Sequence, residues 1–374
     1  MRVIHICQRD DSATGGAARV AVELVRRLPR YGIDSKCLFV YGGQGDLSRD
    51  ISDRALWLGL ESAKDALTQG HRLLELLRNQ DADAVHHHDG LSWTHVLTRL
   101  GFKGMRYGHA HLDGPQVGAP FRHQFAHWVH CKTYDRLIAV SETTRQAWIG
   151  AGFPEKNTTC IPNGVDTSKF YPPSDQDRIE ARRELGLPEN SRVLLSVGRL
   201  HVGMKGTDDF LRVFSHLTPD WWAVIAGTGS DESLLRSLAN DLGVAGRVRF
   251  CGLVSPPLPC YHAADMLAVT SHYEPFGLMV VEAMACGLPI AAFSTTGGVM
   301  ELLSRSSAIV CPQRVPGALA KLIQAIDFHS PEVLGTSLAA RELAKMEYSW
   351  DAASATLAAY YQTTFFHRKK ILPT

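Results

Sequence analysis

The chain of 374 residues is long enough for about two domains, each with a core of its own. Hydrophobic residues at 45% and charged residues at 21% are ordinary for a globular protein. A formal net charge of +1 excludes a generally basic nucleic-acid binder, so no nucleic-acid partner is expected.

The opening "MRVIHICQRDD" holds an apolar run too short for a signal peptide. No stretch approaches the uninterrupted apolar length that spans a bilayer. The 8 cysteines are scattered, without a C-x-x-C pair or zinc-type spacing, which fits reduced thiols in the cytoplasm.

In chain order, "RVIHIC" reads as a β-branched strand, followed by the turn "DDSATGG" and a helical pattern in "AARVAVELVRRL". Val20, Leu24 and Leu28 fall on one face of that helix. A glycine stop and a second strand follow in "YGIDSKCLFVY". Strand-to-helix units recur at "ADAVHHHDGLSWTHVLTRL", "GMRYGHAHLDG" and "DRLIAVSETTRQAWIGAG". Alternation of this kind implies a parallel sheet covered on both faces. "CIPNGVDTSKFYPPSDQ" breaks the rhythm with turn formers and prolines. A second series then runs through "SRVLLSVGRL", "WWAVIAGTG", "GRVRFCGLV", "DMLAVTSHYEPFG" and "PIAAFSTTGG". The last helical pattern is "SWDAASATLAAYYQTTF", followed by the basic tail "FFHRKKILPT". The pattern predicts two doubly wound α/β domains, joined near Asn163–Pro173, with the ligand beyond the strands' carboxyl ends in the cleft between them.

Several stretches suit an anionic ligand. Gly15 and Gly16 in "TGGAARV" bring backbone amides near a helix start, where a phosphate would sit. A structural turn is the alternative, and the stretch is not the dinucleotide fingerprint. "SVGRLHVGMKG" places Arg199 and Lys205 after the first strand of the second series, with a solvated loop as the alternative. In "SHYEPFGLMVVEAMACGLPI" a helix starting near Pro275–Gly277 would offer the amides of Gly277, Leu278 and Met279 to a pyrophosphate. Glu282, more than a turn further in, has two oxygens for the two hydroxyls of a ribose. Glu274, ahead of the helix, would face whatever extends past the phosphates.

Two histidine runs, "HHHD" at His86–Asp89 and "HAH" at His109–His111, sit at predicted strand ends. Neither has a further Cys or carboxylate at ligand spacing, so hydrogen bonding to a sugar or a structural role is expected and no metal site is assigned. "APFRHQFAHWVHCKTYDR" (Ala119–Arg136) mixes basic and aromatic residues at helical spacing. It reads as a surface for anionic lipid, with a half-buried surface helix as the alternative.

Taken together, these motifs resemble the retaining GT-B glycosyltransferases, particularly glycosyltransferase family 4. The E-x7-E pair is matched by Glu274 and Glu282, and the GG loop by Gly15–Gly16. The "GR…KG" element is matched by Gly198–Arg199 and Lys205–Gly206, and "IPNGVD" stands at Ile161–Asp166. The resemblance extends to "YSW" at Tyr348–Trp350 and so covers essentially the whole chain.

It implies two Rossmann-like domains facing each other across a cleft: 1–165 on the acceptor side and 166–349 on the nucleotide-sugar side. A C-terminal helix at about 350–368 would cross back onto the first domain. Arg199 and Lys205 would bind the donor diphosphate, Glu282 the ribose, and Glu274 the hydroxyls of the transferred sugar. Gly15, Gly16, Phe276, Gly277, Leu278 and Met279 would line the donor, with Val254 near the base. His111, preferred over His109 because it stands where the family's motif ends its strand, would contact the donor sugar. Glu274 and His111 are thus the catalytic candidates. The resemblance implies a hexosyl transfer with retention that requires neither metal nor cofactor. The leaving phosphate itself would take the acceptor's proton. A UDP-sugar is favoured over a GDP-sugar as donor, and the acceptor would be a glycan or lipid-linked sugar in cell-surface assembly. The protein would lie in the cytoplasm, touching the inner face of an anionic membrane.

Two departures stand out. The Arg199-to-Lys205 spacing is one residue longer than the family's common form, and "SRSSAIVCP" replaces the usual glycine turn after "TTGGVMELL". Rival readings are a GT-B-shaped sugar-nucleotide epimerase, a non-catalytic binding protein, and a glycosidase. The last needs its two carboxyl groups about 5–10 Å apart across one bond and leaves the phosphate-binding elements without a role.

Overall fold

Strands buried on both faces need apolar residues at successive positions rather than alternate ones. β1 (Arg2–Arg9) meets that demand with Val3, Ile4, Ile6 and Cys7, all buried. The structure, a computed structural model, describes residues 1–11, 16–88, 90–113 and 121–371, with side chains left aside at 121–123 and 367–371. The chain divides into two units, Met1–Asn163 together with the segment from Trp350 onward, and Gly164–Ser349.

In the first unit β1 is joined by β2 (Asp34–Tyr41), β3 (Ala55–Leu60), β4 (Ala84–His87), β5 (Met105–Ala110), β6 (Arg136–Ala139) and β7 (Thr158–Cys160). They form a seven-stranded sheet in the order β3-β2-β1-β4-β5-β6-β7. Every adjacent pair is parallel. Alternation splits the core in two. Ile4, Ile6, Leu38 and Val40 pack with Leu73 and Leu77 of the helix His71–Asn79. Cys7, Cys37 and Phe39 pack with Ala18, Ala21 and Val25 of the helix Gly16–Arg27. Leu28, expected on that helix, begins a separate 3-10 turn closed by Gly32 at φ 76°, and is fully buried there. The helix Trp350–Ile371 belongs to this unit. Tyr31 donates to Asp351 O at 3.1 Å, and Tyr361, fully buried, meets the Tyr107 ring edge-on.

The second unit holds β8 (Arg192–Val197), β9 (Trp221–Ala226), β10 (Val248–Gly252), β11 (Met266–Val269), β12 (Ile290–Phe293) and β13 (Ile309–Cys311). Its six-stranded sheet runs β10-β9-β8-β11-β12-β13, again parallel throughout. β3, β7 and β13 have no counterpart in the sequence reading. β3 carries Gly59 at φ 72° and pairs with β2 across a register shift, and β13 is three residues long.

In each sheet the order turns back on itself once, between β1 and β4 and between β8 and β11. Those reversals leave a crevice beyond the strands' carboxyl ends, where ligands of open parallel sheets bind. Glu274 stands in the loop after β11, fixed by its own backbone. Its N–H donates to Thr296 O at 3.0 Å, and its carbonyl accepts from Val299 at 3.1 Å.

Gly297 makes that arrangement fit. It has φ +96°, and a Cβ there would lie 2.3 Å from Glu274 O. A Gly297→Ala substitution should therefore destabilise the protein by more than the ~1–2 kcal/mol of a left-handed conformation alone. A thermal midpoint equal to that of the unsubstituted protein would show that the loop is not held this way.

Candidate functional site

In the second unit the site is built by close backbone approach. A Cβ on Gly227 would meet Gly198 O at 1.9 Å, so the loops after β8 and β9 touch main chain to main chain. Arg199 follows as an exposed residue, and the short helix Val202–Lys205 ends at Gly206 with φ 58°. A Cβ on Gly206 would fall 2.1 Å from Thr270 O. That contact brings the end of the short helix against the loop after β11, where Lys205 Nζ donates to Glu274 Oε2. The two side chains are 21% and 11% exposed. Arg314 props the same loop, donating to Ser271 O at 3.1 Å and to Asp209 at 2.6 Å.

Gly277, at φ 98°, directly precedes the helix Leu278–Ala285. Val280 N closes on Gly277 O at 2.9 Å. The Leu278 and Met279 amides lie ahead of the helix's own bonding pattern, at its positive end. Phe276 is buried with its ring 6.2 Å from that of Tyr348. Val254 is half-buried in the loop after β10. Glu282 is 4% exposed, and the Tyr261 hydroxyl donates to its Oε2 at 2.8 Å. Arg199, Lys205, Glu274, Gly277, Leu278 and Met279 therefore all lie in the loops and helix starts that follow β8 and β11.

The first unit gathers histidines instead. His5 on β1 lies opposite His86 on β4, and His86 opposite Tyr107 on β5. Two-residue periodicity then puts His5, His86, His88, His109 and His111 on one face. His5 Nδ1 is 2.9 Å from His88 Nε2, and His88 Nδ1 is 3.1 Å from His111 Nε2. The His109 and His111 rings stack at 4.3 Å, and His86 Nδ1 bonds the Tyr361 hydroxyl. β5 ends at Ala110, so His111 is the first residue past the strand and His109 lies within it. Gly16 is the exposed first residue of its helix, and Gly15 lies outside the described residues.

Two sets, His5–His86–His88 and His88–His109–His111, bring ligand nitrogens within 4.8 Å of one another. Neutral imidazoles suit a transition metal, yet among the described residues each set is histidine alone.

The helix read at Ala119–Arg136 spans Phe121–Thr133; Ala119 lies outside the described residues. Its Phe125 and Trp128 stack at 5.9 Å and are 53% and 56% exposed. Among the described residues, no helix is long and apolar enough to cross a membrane.

Sequence reasoning missed Tyr261, Arg314 and His5, and it did not pair His5 with His88. Tyr261 and Glu282 stand 21 positions apart, and His5 and His88 83 apart. No local spacing marks such pairs.

Known proteins resemble the chain along most of its length. The family described as Glycosyltransferase Family 4 matches residues 14–169, and that described as Glycosyl transferases group 1 matches 177–327. The D-inositol 3-phosphate glycosyltransferase of Xylanimonas cellulosilytica is 34% identical over 54% of this chain and 51% of its own. That of Geodermatophilus obscurus is 34% identical over 61% of this chain and 52% of its own. The chain thus spans about half the length of these curated relatives. Among solved structures, Anabaena HepE in complex with UDP-glucose superposes with a TM-score of 0.84 at 20% identity, covering 97% of this chain and 100% of that one. Sucrose-phosphate synthase from Thermosynechococcus elongatus gives 0.80 at 21% identity, over 98% and 100%. At these identities the likeness establishes the fold, two Rossmann-like units of the GT-B kind.

Burial lowers the histidines' affinity for protons. His5 and His111 are pushed down to about 3, and His86, His88 and His109 well below their ordinary value. The folded form therefore holds them neutral while an unfolded chain protonates them below about pH 6.5. The stability contribution of His5 and His111 is complete above that pH and is lost as pH falls toward 3, and that of His86, His88 and His109 is lost in the same direction. Hydrogen exchange read on peptides covering β4 and β5, corrected for intrinsic rates, should show falling protection between pH 6.5 and 5. Protection that does not change over that range would mean the histidines are not buried as neutral rings.

Proposed function

We propose that this GT-B, glycosyltransferase family 4-like chain moves a hexosyl unit from a UDP-sugar to a sugar-containing acceptor, with retention at the anomeric carbon. The observation that carries the proposal is the Lys205–Glu274 pair, set in the loops after β8 and β11. The Leu278 and Met279 amides open the helix that follows the same loop. A cation and a helix N-terminus suit a diphosphate, and a carboxylate suits sugar hydroxyls. Relatives named D-inositol 3-phosphate glycosyltransferase support sugar transfer, and a fold neighbour crystallised with UDP-glucose supports the donor class.

In this reading Arg199, Lys205 and the helix start hold the diphosphate and stabilise the charge that grows on it as the glycosidic bond breaks. Glu274 holds the sugar hydroxyls, and Val254 lies near the base. Glu282, steadied by Tyr261, accepts from the ribose. The leaving phosphate takes the acceptor's proton, so no protein nucleophile and no metal or other cofactor is needed. Cytoplasmic assembly of a cell-surface glycan is the setting this chemistry fits.

The two glutamates should fail differently. The ribose is unchanged by the reaction, so Glu282→Ala should raise KM more than it lowers kcat. Glu274→Ala should fall on kcat by about ten- to a hundredfold, the loss of one charged hydrogen bond. Calorimetry with UDP, in buffer free of divalent ions, separates the two. Glu274→Ala releases Lys205, so UDP should bind as tightly as before or more tightly. Weaker UDP binding in Glu274→Ala than in Glu282→Ala would overturn the assignment.

The exposed, stacked Phe125 and Trp128 favour a surface that rests on anionic lipid. Cosedimentation with phosphatidylglycerol vesicles should exceed that with phosphatidylcholine, weaken with salt, and drop in Trp128→Ser. Equal sedimentation with both lipids would remove this contact.

A further inference from the structure

The chain His5–His88–His111 links its rings nitrogen to nitrogen at 2.9 and 3.1 Å. Burial keeps all three rings neutral, so each carries one N–H and one lone pair. A neutral chain of this kind has two arrangements, because the hydrogen bond at one nitrogen fixes what the other must do. In the first, His5 donates from Nδ1 to His88, His88 donates from Nδ1 to His111, and His111 keeps its proton on Nδ1. In the second every ring is reversed, and His5 carries its proton on Nε2.

Among the described residues His5 Nε2 is buried without a hydrogen-bond partner, and His5 is fully enclosed. A buried N–H with no acceptor is a rarer arrangement than a buried lone pair with no donor. That difference selects the first arrangement. We propose that His88 is a positioning residue that holds His111 as the Nδ1–H tautomer, a neutral donor for a hydroxyl of the bound sugar. The use of that donor rests on the glycosyltransferase reading, whereas the tautomer itself does not. A neutral donor serves such a reaction better than an imidazolium, whose charge would oppose the positive charge growing at the anomeric carbon. A metal ion is the rival occupant. It would have to displace these hydrogen bonds, and among the described residues its ligands would be histidines alone.

Long-range proton–nitrogen correlation spectra of protein labelled with 15N-histidine distinguish protonated from bare ring nitrogens. At pH 7 His88 and His111 should both be protonated on Nδ1, their signals assigned by loss in His88→Asn and His111→Ala. His5→Leu, two rings away, should shift the His111 signals. A His111 protonated on Nε2 or doubly protonated would overturn the proposal. So would signals of His5, His86 and His88 that all move on adding one equivalent of Zn2+. The kinetic arm uses two substitutions at His88. Asn keeps an amide donor near the place of Nδ1, so kcat should stay close to its original value. Leu should lower kcat by about tenfold, the loss of one hydrogen bond, with UDP affinity unchanged. Equal kcat in the Asn and Leu variants would refute positioning. If the unsubstituted protein transfers no sugar, the functional reading fails while the tautomer result stands on its own.

Discussion

Placing Lys205 against Glu274 with little water around either costs desolvation on both sides. The attraction offsets that cost only if the two groups are held at contact, and the surrounding backbone is organised to hold them. Gly206 lets the short helix Val202–Lys205 abut Thr270 O, and Gly297 lets the strand-end loop fold over Glu274 O. Arg314 donates to the carbonyls of Ser271 and Thr270 just past the buried strand, and the Thr295 hydroxyl donates to Ser271 O as well. A side chain at either glycine would push apart the loops that carry the charges. In this unit, then, the glycines' shape requirement comes from electrostatics a few ångströms away.

The first unit meets the same topological opportunity with the opposite chemistry. At its strand reversal stand His5, His86 and His88, rings that burial keeps neutral, roofed by Tyr361 from the C-terminal helix. Neutral imidazoles avoid the desolvation cost of ions but carry a directional demand of their own, since every ring nitrogen is either donor or acceptor. His87 points to the other face and joins a second group, bonding Thr98 at 3.2 Å and meeting His95 edge-on. One run of three histidines thus serves two faces of one sheet, as the period of a strand requires.

What was legible in the sequence followed from local spacing. Apolar runs separated by helical patterns marked most strands, and the interval between Glu274 and Glu282 told which side of a helix start each occupies. What was not legible depended on long-range approach. Tyr261, on the helix Leu258–Ala263, reaches the helix that bears the glutamate through its hydroxyl, which meets Met279 O at 3.3 Å and Glu282 Oε2 at 2.8 Å. Arg314 reaches Asp209 across 105 positions. The histidine runs were visible, but the need for His5 to complete the chain was not, because a single histidine inside "RVIHIC" looks like any buried strand residue. β13 escaped for a related reason. Its three residues follow "SRSS", where the family's usual glycine turn is replaced, and only pairing with β12 defines it as a strand.

The Arg199-to-Lys205 interval, longer by one residue than the resemblance leads one to expect, is accommodated in the same backbone. Leu200 N donates to Thr228 O at 2.9 Å, and Val202 N to Asp231 Oδ2 at 2.8 Å, so the loop is tied to the β9 side at its first turn. Beyond that tie the chain coils once, Gly206 N closing on Val202 O at 3.0 Å, and Met204 O accepts from His272 N at 2.8 Å. A coil absorbs an added residue by winding rather than by lengthening the reach, since each residue of a helical turn advances only ~1.5 Å. Lys205 consequently leaves the turn at its end and still meets Glu274. The pairing tolerates the altered spacing because two anchors on neighbouring loops, and not the residue count, determine where the ammonium arrives.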